Sequence, residues 1–240
     1  HGIAVANGTA ALDIALEGLG IGPGDEVIIP SFTIISCLNQ ILRSGATPVF
    51  VDAQRDTWNM DVSALKVLIT PRTKAIIVVH IYGLPADIDQ VVTLATEHDI
   101  AVIEDAAEAH GQQLDGAPLG SFGDVSTFSF YSNKLITTGE GGMVLTDDDR
   151  LEAKFRELRN LCFNPAQRFV HEDIGWNYRM TSMQADLGVS QLSRIDELFD
   201  YKKKVGQTDQ ELLDGTPGIS LPLPNYRGSE NVYWIFGRVL

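Results

Sequence analysis

The chain has 240 residues, of which 44% are hydrophobic, and its formal net charge is -14. This length and composition support a sizeable buried core, and the acidic charge argues against nucleic acid or an anionic membrane as the main partner, since either requires a basic face. The two cysteines, Cys37 and Cys162, are far apart in sequence, which argues against a disulfide framework or a cysteine metal site. No apolar run approaches the roughly 18 residues of a membrane span. We therefore expect a soluble, cytoplasmic protein without a metal.

Short β-branched runs alternate with helical segments in the first part of the chain. The predicted strands are Glu26–Pro30, Pro48–Asp52, Ala75–His80 and Ala101–Asp105. The predicted helices are Thr9–Leu19, Thr33–Arg43, Asp61–Ile69 and Asp87–His98. This alternation predicts parallel strands joined by helical crossovers, with each strand buried on both faces.

Beyond residue 134 the pattern changes. The predicted elements there are a strand over Gly142–Thr146, a helix over Asp148–Cys162, a long amphipathic helix over Thr181–Phe199 and a strand over Val232–Leu240. The inward face of the long helix is predicted to hold Leu187, Gln191 and Leu198. A polar stretch, Tyr201–Gln210, and a stretch rich in proline and glycine, Gly215–Gly228, indicate a boundary or linker.

The start of the first predicted helix is a candidate phosphate site. Asn7, Gly8 and Thr9 stand there, where free backbone N–H groups and the positive end of the helix dipole favour an anion. The alternative is an ordinary N-cap, in which Asn7 or Thr9 only satisfies the first helical turn.

Asp105 and Lys134 are the candidate reactive groups. Asp105 ends an apolar strand, at the edge where parallel sheets place their ligand groups, and Glu104 and Glu108 flank it. Lys134 stands between a β-like run and a glycine-rich turn, where burial would lower its pKa toward that of a reactive neutral amine. The alternatives are a solvated loop or a helix N-terminus, where acids are favoured, for the three acids and a surface charge for the lysine.

Together, the helix start, the strand-end aspartate and the later lysine resemble the layout of pyridoxal phosphate (PLP) enzymes of the aspartate aminotransferase fold type, fold type I. Over nearly its whole length the chain is similar to the DegT/DnrJ/EryC1/StrS family of sugar aminotransferases. The segments that carry the resemblance are NGTAAL at 7–12, GDEVIIPSFT at 24–33, GATPVFVD at 45–52, TKAIIVVH at 73–80, EDAAEAHG at 104–111 and NYRMT at 177–181. FYSNK at 130–134 and TTGEGG at 137–142 most resemble the GDP-perosamine synthases, which aminate the 4-keto group of a nucleotide-linked deoxysugar.

The resemblance implies an α/β fold with a mostly parallel sheet flanked by helices. It implies a large PLP-binding domain over residues 1–205, and a linker with the start of a truncated small C-terminal domain over residues 206–240. Relatives also carry an N-terminal segment that we expect to be missing here.

The resemblance also assigns roles to single residues. Lys134 is implied to be the Schiff-base lysine and the group that moves the proton, and Asp105 is implied to pair with the pyridine nitrogen. The further implied cofactor contacts are Gly8, Thr9 and Ser129 at the phosphate, Glu108 beside the ring hydroxyl, and Asn177 at the phosphate of a neighbouring subunit. An active site shared within a homodimer follows. Similar proteins with histidine in place of this lysine eliminate water, so Lys134 favours amino transfer.

Stacking and substrate positions have alternatives. Relatives place an aromatic ring on the cofactor at the position of Ile34, so either Phe32 supplies the ring or an aliphatic face suffices. His80 and Tyr82 are candidate pocket residues, and a hydrogen-bonded core histidine is the alternative for His80. The candidates for the substrate diphosphate are Arg159, Arg168 and Arg179, with surface ion pairs as the alternative.

The implied function is transfer of an amino group, with glutamate as donor, to the keto group of a nucleotide sugar such as GDP-4-keto-6-deoxymannose. Two alternatives stay open. One is a PLP enzyme of the same fold with another amine acceptor, and the other is a PLP-binding but inactive protein with a regulatory or structural role.

Overall fold

A seven-stranded sheet forms the centre of the computed structural model, which describes residues 1–163, 167 and 169–239. The strands are β1 (Gly2–Val5), β2 (Glu26–Pro30), β3 (Thr47–Val51), β4 (Thr73–Val79), β5 (Ala101–Asp105), β6 (Gln113–Leu114), β7 (Ala117–Pro118), β8 (Val125–Ser129), β9 (Gly142–Leu145), β10 (Asn225–Tyr226) and β11 (Ser229–Glu230). The large sheet has the order β1-β9-β8-β5-β4-β2-β3, while β6 with β7 and β10 with β11 form two small antiparallel pairs.

The large sheet is mostly parallel, as the sequence predicts. Neighbours from β3 to β8 pair in parallel, and β9 runs antiparallel to both β8 and β1. The carboxyl ends of β4, β5 and β8 therefore meet at one edge of the sheet, which is where doubly wound folds place their ligands.

Helices cover both faces of the sheet. They are α1 (Gly8–Gly18), α2 (Ile35–Ser44), α3 (Leu65–Leu68), α4 (Ile88–Glu97), α5 (Asp149–Arg159), α6 (Ser182–Leu192) and α7 (Ile195–Leu213), with short 3-10 turns at Val62–Ala64 and Ile81–Gly83. Residues of α1, α2 and α5 share one buried cluster and residues of α3 and α4 share another. Because side chains alternate along a strand, Ile77 of β4 joins the first cluster while Ile76 and Val78 join the second.

One strand departs from the prediction of burial on both faces. Every residue of β2 is buried, but Phe50 of β3 is 51% exposed. The reason is position, because β3 is the edge strand and has only β2 as a neighbour.

The prediction of one continuous helix over Thr181–Phe199 is wrong. It is broken between α6 and α7, and α7 then continues through the polar stretch Tyr201–Gln210. A capping box of Thr181 and Gln184 fixes where α6 begins. Residues 201–210 are polar because they lie on a largely exposed helix and not in a linker, and the Lys and Gln residues of this stretch are good helix formers.

The predicted inward face of that long helix is correct only in part. Gln191 accepts a hydrogen bond from Thr137 N at 2.8 Å, and Leu198 is half-buried. Leu187 is largely exposed, so it does not contribute to the core of this chain.

Two further predicted elements are also corrected. Val232–Leu240 is not a strand over its described part, which contains one isolated bridge, from Ser220 to Val239. Tyr233 has φ 50°, which breaks an extended run, and its ring packs against Gly206 of α7. The segment predicted as one helix over Asp61–Ile69 is a 3-10 turn followed by the single-turn α3.

Among the described residues, none of the helices combines the length and apolar character that crossing a bilayer requires. Over the same residues, no group of three or more metal-binding side chains comes together.

Candidate active site

A cavity of about 700 Å³ lies where the carboxyl ends of β4, β5 and β8 face the start of α1. Its lining includes six residues that the sequence singles out: Gly8, Thr9, Asp105, Glu108, Ser129 and Lys134. Residues that are 126 positions apart in the chain, such as Gly8 and Lys134, thus share one site. The parallel sheet brings them together because its strands end at a common edge.

The start of α1 is built for close approach to an anion. Asn7 caps the helix, with its side-chain oxygen accepting from Ala10 N at 2.8 Å. A Cβ on Gly8 would lie 2.8 Å from Ser129 Cβ, so only glycine lets the end of β8 pack against the helix start. The first amides of α1 have no intrahelical acceptor, and with the helix dipole they favour a phosphate beside Ser129.

Asp105 is a buried carboxylate at the end of β5, with 3% of its surface exposed. Its Oδ1 accepts from Ala107 N at 3.1 Å and its Oδ2 accepts from the Cys37 thiol at 3.4 Å. Burial raises the pKa of Asp105, and the Ala107 amide and the charge of Lys134 oppose that rise. A cationic partner in the cavity would therefore stabilise its ionised form.

Lys134 is half-buried and faces two acids. Burial lowers its pKa, and the carboxylates of Glu108 and Asp105 oppose that shift. The Nζ atom lies 3.5 Å from the centroid of the Trp234 ring, a distance at which the ring face attracts a cation. Burial thus brings this amine closer to the neutral, nucleophilic form.

Glu108 is the third ionisable group of the cavity. Its Oε2 accepts from the backbone N–H of Tyr82 at 2.7 Å. Burial raises the pKa of Glu108 to about 7, with the charge of Lys134 opposing the rise and Asp105 adding to it. A carboxyl with such a pKa is able to donate as well as to accept a hydrogen bond near neutral pH.

The structure corrects the interpretation of His80 as a pocket residue. The side chain is fully buried, with Nε2 2.9 Å from Glu104 Oε1 and Nδ1 accepting from Ala86 N at 3.0 Å. Because Nδ1 accepts a hydrogen bond, the ring proton is on Nε2, which donates a hydrogen bond to Glu104 Oε1. His80 is thus a hydrogen-bonded core histidine, which is the alternative that the sequence leaves open.

Phe32 and Tyr82 are not brought into the cavity. Their rings pack edge to face at 6.0 Å and border a neighbouring apolar cavity of about 520 Å³, together with Trp58. Ile34 does line the main cavity. Of the two alternatives, the structure therefore favours an aliphatic side chain over the aromatic ring of Phe32 at this position. Tyr82 still contributes its backbone N–H, through Glu108.

Three polar candidates lie outside the cavity of their own chain. Arg159 Nη1 donates to Ala4 O at 3.1 Å, Arg179 Nη1 donates to Asn160 Oδ1 at 2.8 Å, and Asn177 is exposed. Burial, with Arg156 and Arg179 nearby, lowers the pKa of Arg159. Arg168 lies outside the described residues.

Several lining residues escape sequence reasoning. Trp234, which covers the Lys134 amine and donates from Nε1 to Asn133 O at 2.9 Å, lies in the run predicted as a strand. Arg43 and Tyr178 also line the cavity and both donate to Asp13, at 3.2 and 2.7 Å. The only sequence signal for Arg43 is its place at the end of a predicted helix.

The lining fits PLP on the evidence of its own atoms. Thr127 Oγ1 and Gln40 Oε1 are buried without a hydrogen-bond partner among the described residues, and both residues line the cavity. Buried polar atoms of this kind are normally satisfied, so the cavity retains polar capacity for a ligand. An amine, a buried carboxylate and a helix start suit the aldehyde, the ring nitrogen and the phosphate, respectively.

The fold is that of the PLP-dependent aminotransferases to which the chain is structurally similar. This chain belongs to the DegT/DnrJ/EryC1/StrS aminotransferase family, whose model matches residues 1–238. The aminotransferases of this family depend on PLP.

Named relatives and a solved structure agree with this membership. The GDP-perosamine synthase of Caulobacter vibrioides is 48% identical over 237 residues, which are 98% of this chain and 64% of that protein. The GDP-perosamine synthase of Escherichia coli O157:H7 is 47% identical over 201 residues, 84% of this chain and 55% of that protein. The crystal structure of DesV from S. venezuelae superposes with a TM-score of 0.92 at 39% identity, covering 99% of this chain and 64% of that one. The chain thus spans less than two thirds of these relatives.

Proposed function

We propose that this chain carries the PLP site of an aminotransferase that transfers an amino group to the keto group of a nucleotide-linked deoxysugar. The observation that carries the proposal is the shared cavity of Lys134, Asp105 and the start of α1. The names of the Caulobacter and Escherichia relatives favour a GDP-linked 4-keto sugar, such as GDP-4-keto-6-deoxymannose, as the acceptor. Glutamate is the proposed amino donor.

Each group of cavity residues has a distinct proposed role in the reaction. PLP, when bound, supplies an electron-withdrawing ring that accepts the electron pair released at the amine-bearing carbon. Asp105 holds the ring nitrogen in its protonated form, because an ionised buried carboxylate stabilises a positive charge next to it. Gly8, Thr9 and Ser129 bind the phosphate.

Lys134 is the proposed covalent attachment point and proton carrier. Its Nζ lies in a half-buried position where burial lowers its pKa, which favours the neutral amine that takes a proton from carbon and returns it. Trp234 covers one side of that amine and limits the access of water. Glu108 accepts or donates a hydrogen bond at the ring hydroxyl.

We further propose that two copies of the chain form the complete site. Asn177 is exposed and lies outside the cavity of its own chain, which suits a contact with the phosphate bound by a partner. α6 has no buried residue, and Met183 and Val189 are 82% and 69% exposed, as expected of a face that another copy covers.

We also propose a cytoplasmic location, because the two cysteines are free thiols and thiols stay reduced in the cytoplasm.

A substrate screen tests the reaction. The PLP-loaded protein is mixed with glutamate, and the visible spectrum is followed for loss of the aldehyde form; GDP-4-keto-6-deoxymannose is then added and the amino sugar is detected by mass spectrometry. The expected result is conversion of the keto sugar and none with simple 2-oxo acids beyond the donor pair. Turnover of oxo acids alone would refute the sugar acceptor, and PLP binding with no reaction with glutamate would refute the transferase.

A further inference from the structure

The two oxygens of Asp105 are held by different donors. Oδ1 accepts from the Ala107 amide at 3.1 Å, and Oδ2 accepts from the Cys37 thiol at 3.4 Å. Among the described residues no lysine or arginine forms an ion pair with Asp105. Its orientation in this structure therefore depends on one backbone amide and one thiol.

The thiol belongs to a short chain of hydrogen bonds. Cys37 is fully buried in the first turn of α2, and its Sγ also lies 3.6 Å from Thr33 Oγ1. A thiol has a single proton, and an ionised carboxylate can only accept. The Cys37 proton therefore points to Asp105, and the Thr33 hydroxyl donates to the sulfur. The direction of the chain is thus fixed from Thr33 through Cys37 to Asp105.

We propose that Cys37 is a positioning residue for Asp105: its S–H fixes the Oδ2 side of the carboxylate, as the Ala107 amide fixes the Oδ1 side, so that the carboxylate faces the ring nitrogen of PLP. The inference rests on the proposed function, because it requires that Asp105 be the partner of that ring. Cys37 itself does not line the cavity and acts only through Asp105.

A thiol suits this position for two reasons. Burial, with the nearby charge of Asp105, raises the pKa of Cys37 well above its usual range, so the donor keeps its proton near neutral pH. A thiol is also a weak donor, so it orients the carboxylate without neutralising the charge that a pyridinium needs. Serine keeps a donor at this position, and alanine removes it.

The contact itself is tested on the PLP-free protein by infrared spectroscopy of the S–H stretching band. Subtracting the spectrum of C37A isolates the band of Cys37 from that of Cys162. The expected result is a band at the frequency of a hydrogen-bonded thiol that moves toward the free-thiol frequency in D105N, where the acceptor has lost its charge. A band at the free-thiol frequency, or one that D105N leaves in place, would overturn the proposal.

The positioning role is tested by PLP affinity and by the ¹⁵N chemical shift of the ring nitrogen in labelled, bound PLP. For C37A we expect about threefold to tenfold weaker binding, the effect of one weak hydrogen bond to a charged group, and a shift displaced toward the unprotonated value. C37S should recover both readouts to within about twofold of the original chain. C162A is the matched control, because Cys162 is also a buried free thiol, whereas the thiol that donates to Asp105 is that of Cys37.

Equal affinity and equal ¹⁵N shift in C37A and the original chain would overturn the positioning role. If the original chain binds no PLP, the proposed function fails together with this role, and the infrared band still decides whether the thiol donates to Asp105. The two failures are thereby distinguishable.

Discussion

Three ionisable side chains in one cavity set one another's charge. Asp105 and Glu108 raise the proton affinity of Lys134, while burial lowers it, and Lys134 in turn lowers the proton affinity of both acids. Burial thus shifts the pKa of each group from its ordinary value and the opposite charge across the site opposes that shift, while Asp105 adds to the rise at Glu108. Such opposed effects are typical of sites that must exchange protons near neutral pH.

Glu108 makes this balance measurable through stability. Its pKa is 4.5 in the unfolded chain and about 7 in the folded one, so between these values the folded state binds more protons than the unfolded state. The contribution of Glu108 to the free energy of unfolding therefore falls as the pH rises through this interval. We expect the fall to be smaller in E108Q than in the original chain, measured by urea unfolding of the PLP-free proteins from pH 4.5 to 8. Parallel curves for the two proteins would contradict the raised pKa.

Glu104 has the opposite environment, although it adjoins Asp105. It accepts from His80, from the backbone amides of residues 120, 122 and 123, and from Ser126 Oγ. Burial alone would raise its pKa, but these hydrogen bonds, above all that from His80, hold the pKa of Glu104 below its ordinary value. Glu104 is therefore a structural acceptor, and only the residue that follows it faces the cavity.

The E104Q variant tests that structural role. An amide nitrogen would face backbone donors, so we expect a loss of about 3 kcal/mol in the free energy of unfolding. E211Q is the control, because Glu211 is exposed on α7, and a change within about 0.5 kcal/mol is expected there. Equal stability of the two variants in urea unfolding would show that the buried network does not hold the end of β5.

Single residues are predictable from the sequence where their role follows from their neighbours in the chain. Asp105 at a strand end and Lys134 before a glycine turn are readable from order and neighbours. The roles of Cys37 and Trp234 are not, because each depends on a contact with a residue 68 or 100 positions away. His80 shows the converse, since its strand-end position suggests a pocket residue while Glu104 makes it part of the core.

The element that most directly shapes the site is α1. Its first turn faces the cavity because β1 pairs with β9 and so brings Asn7 against Gly142, whose Cβ would lie 2.6 Å from the Asn7 backbone. The cap on Ala10 N then fixes where the helix begins. Position and dipole together make this turn the proposed phosphate cradle.

Variants of Asn7 separate the cap from the anion site. N7D keeps a capping oxygen but adds a negative charge, so we expect stability close to that of the original chain and much weaker PLP binding. N7A loses the cap, and we expect a loss of about 1 kcal/mol in the free energy of unfolding with a smaller effect on affinity. Stability is measured by urea unfolding and affinity by titration of the visible absorbance. PLP affinity of N7D equal to that of the original chain would contradict a phosphate at this helix start.

Elements are predictable from sequence where burial dictates composition. The apolar runs of β2, β4 and β5 are buried on both faces, and their alternation with helices predicts the parallel sheet. The C-terminal elements are less predictable, because α7 is exposed and polar and the segment after residue 231 is shaped by side-chain packing. Tyr233, with its positive φ and its contact with Gly206, illustrates how tertiary contacts override a β-branched pattern.

For the whole molecule, the exposed apolar side chains of α6 favour the proposed contact with a second copy of the chain. The inward side of α6 contacts the loop after Lys134, where Gln191 accepts from Thr137 N. Its outward side presents Met183 and Val189 to solvent.

Light scattering after size-exclusion chromatography tests the proposed dimer. The original chain is expected to elute with twice its own mass, and the double variant M183E/V189E as a monomer, because two charges on each copy would be buried without partners. V67E is the control, since Val67 is 84% exposed on α3 and should leave the dimer intact. A double variant that stays dimeric would place the interface elsewhere.

Reduction with borohydride tests whether Lys134 carries PLP, as we propose. The PLP-loaded chain is reduced, digested and mapped by mass spectrometry, with K134A treated in parallel. We expect one phosphopyridoxyl adduct on the peptide that contains Lys134, and no adduct at the cavity in K134A. An unmodified Lys134 in a chain that has bound PLP, or an adduct on another lysine, would contradict it.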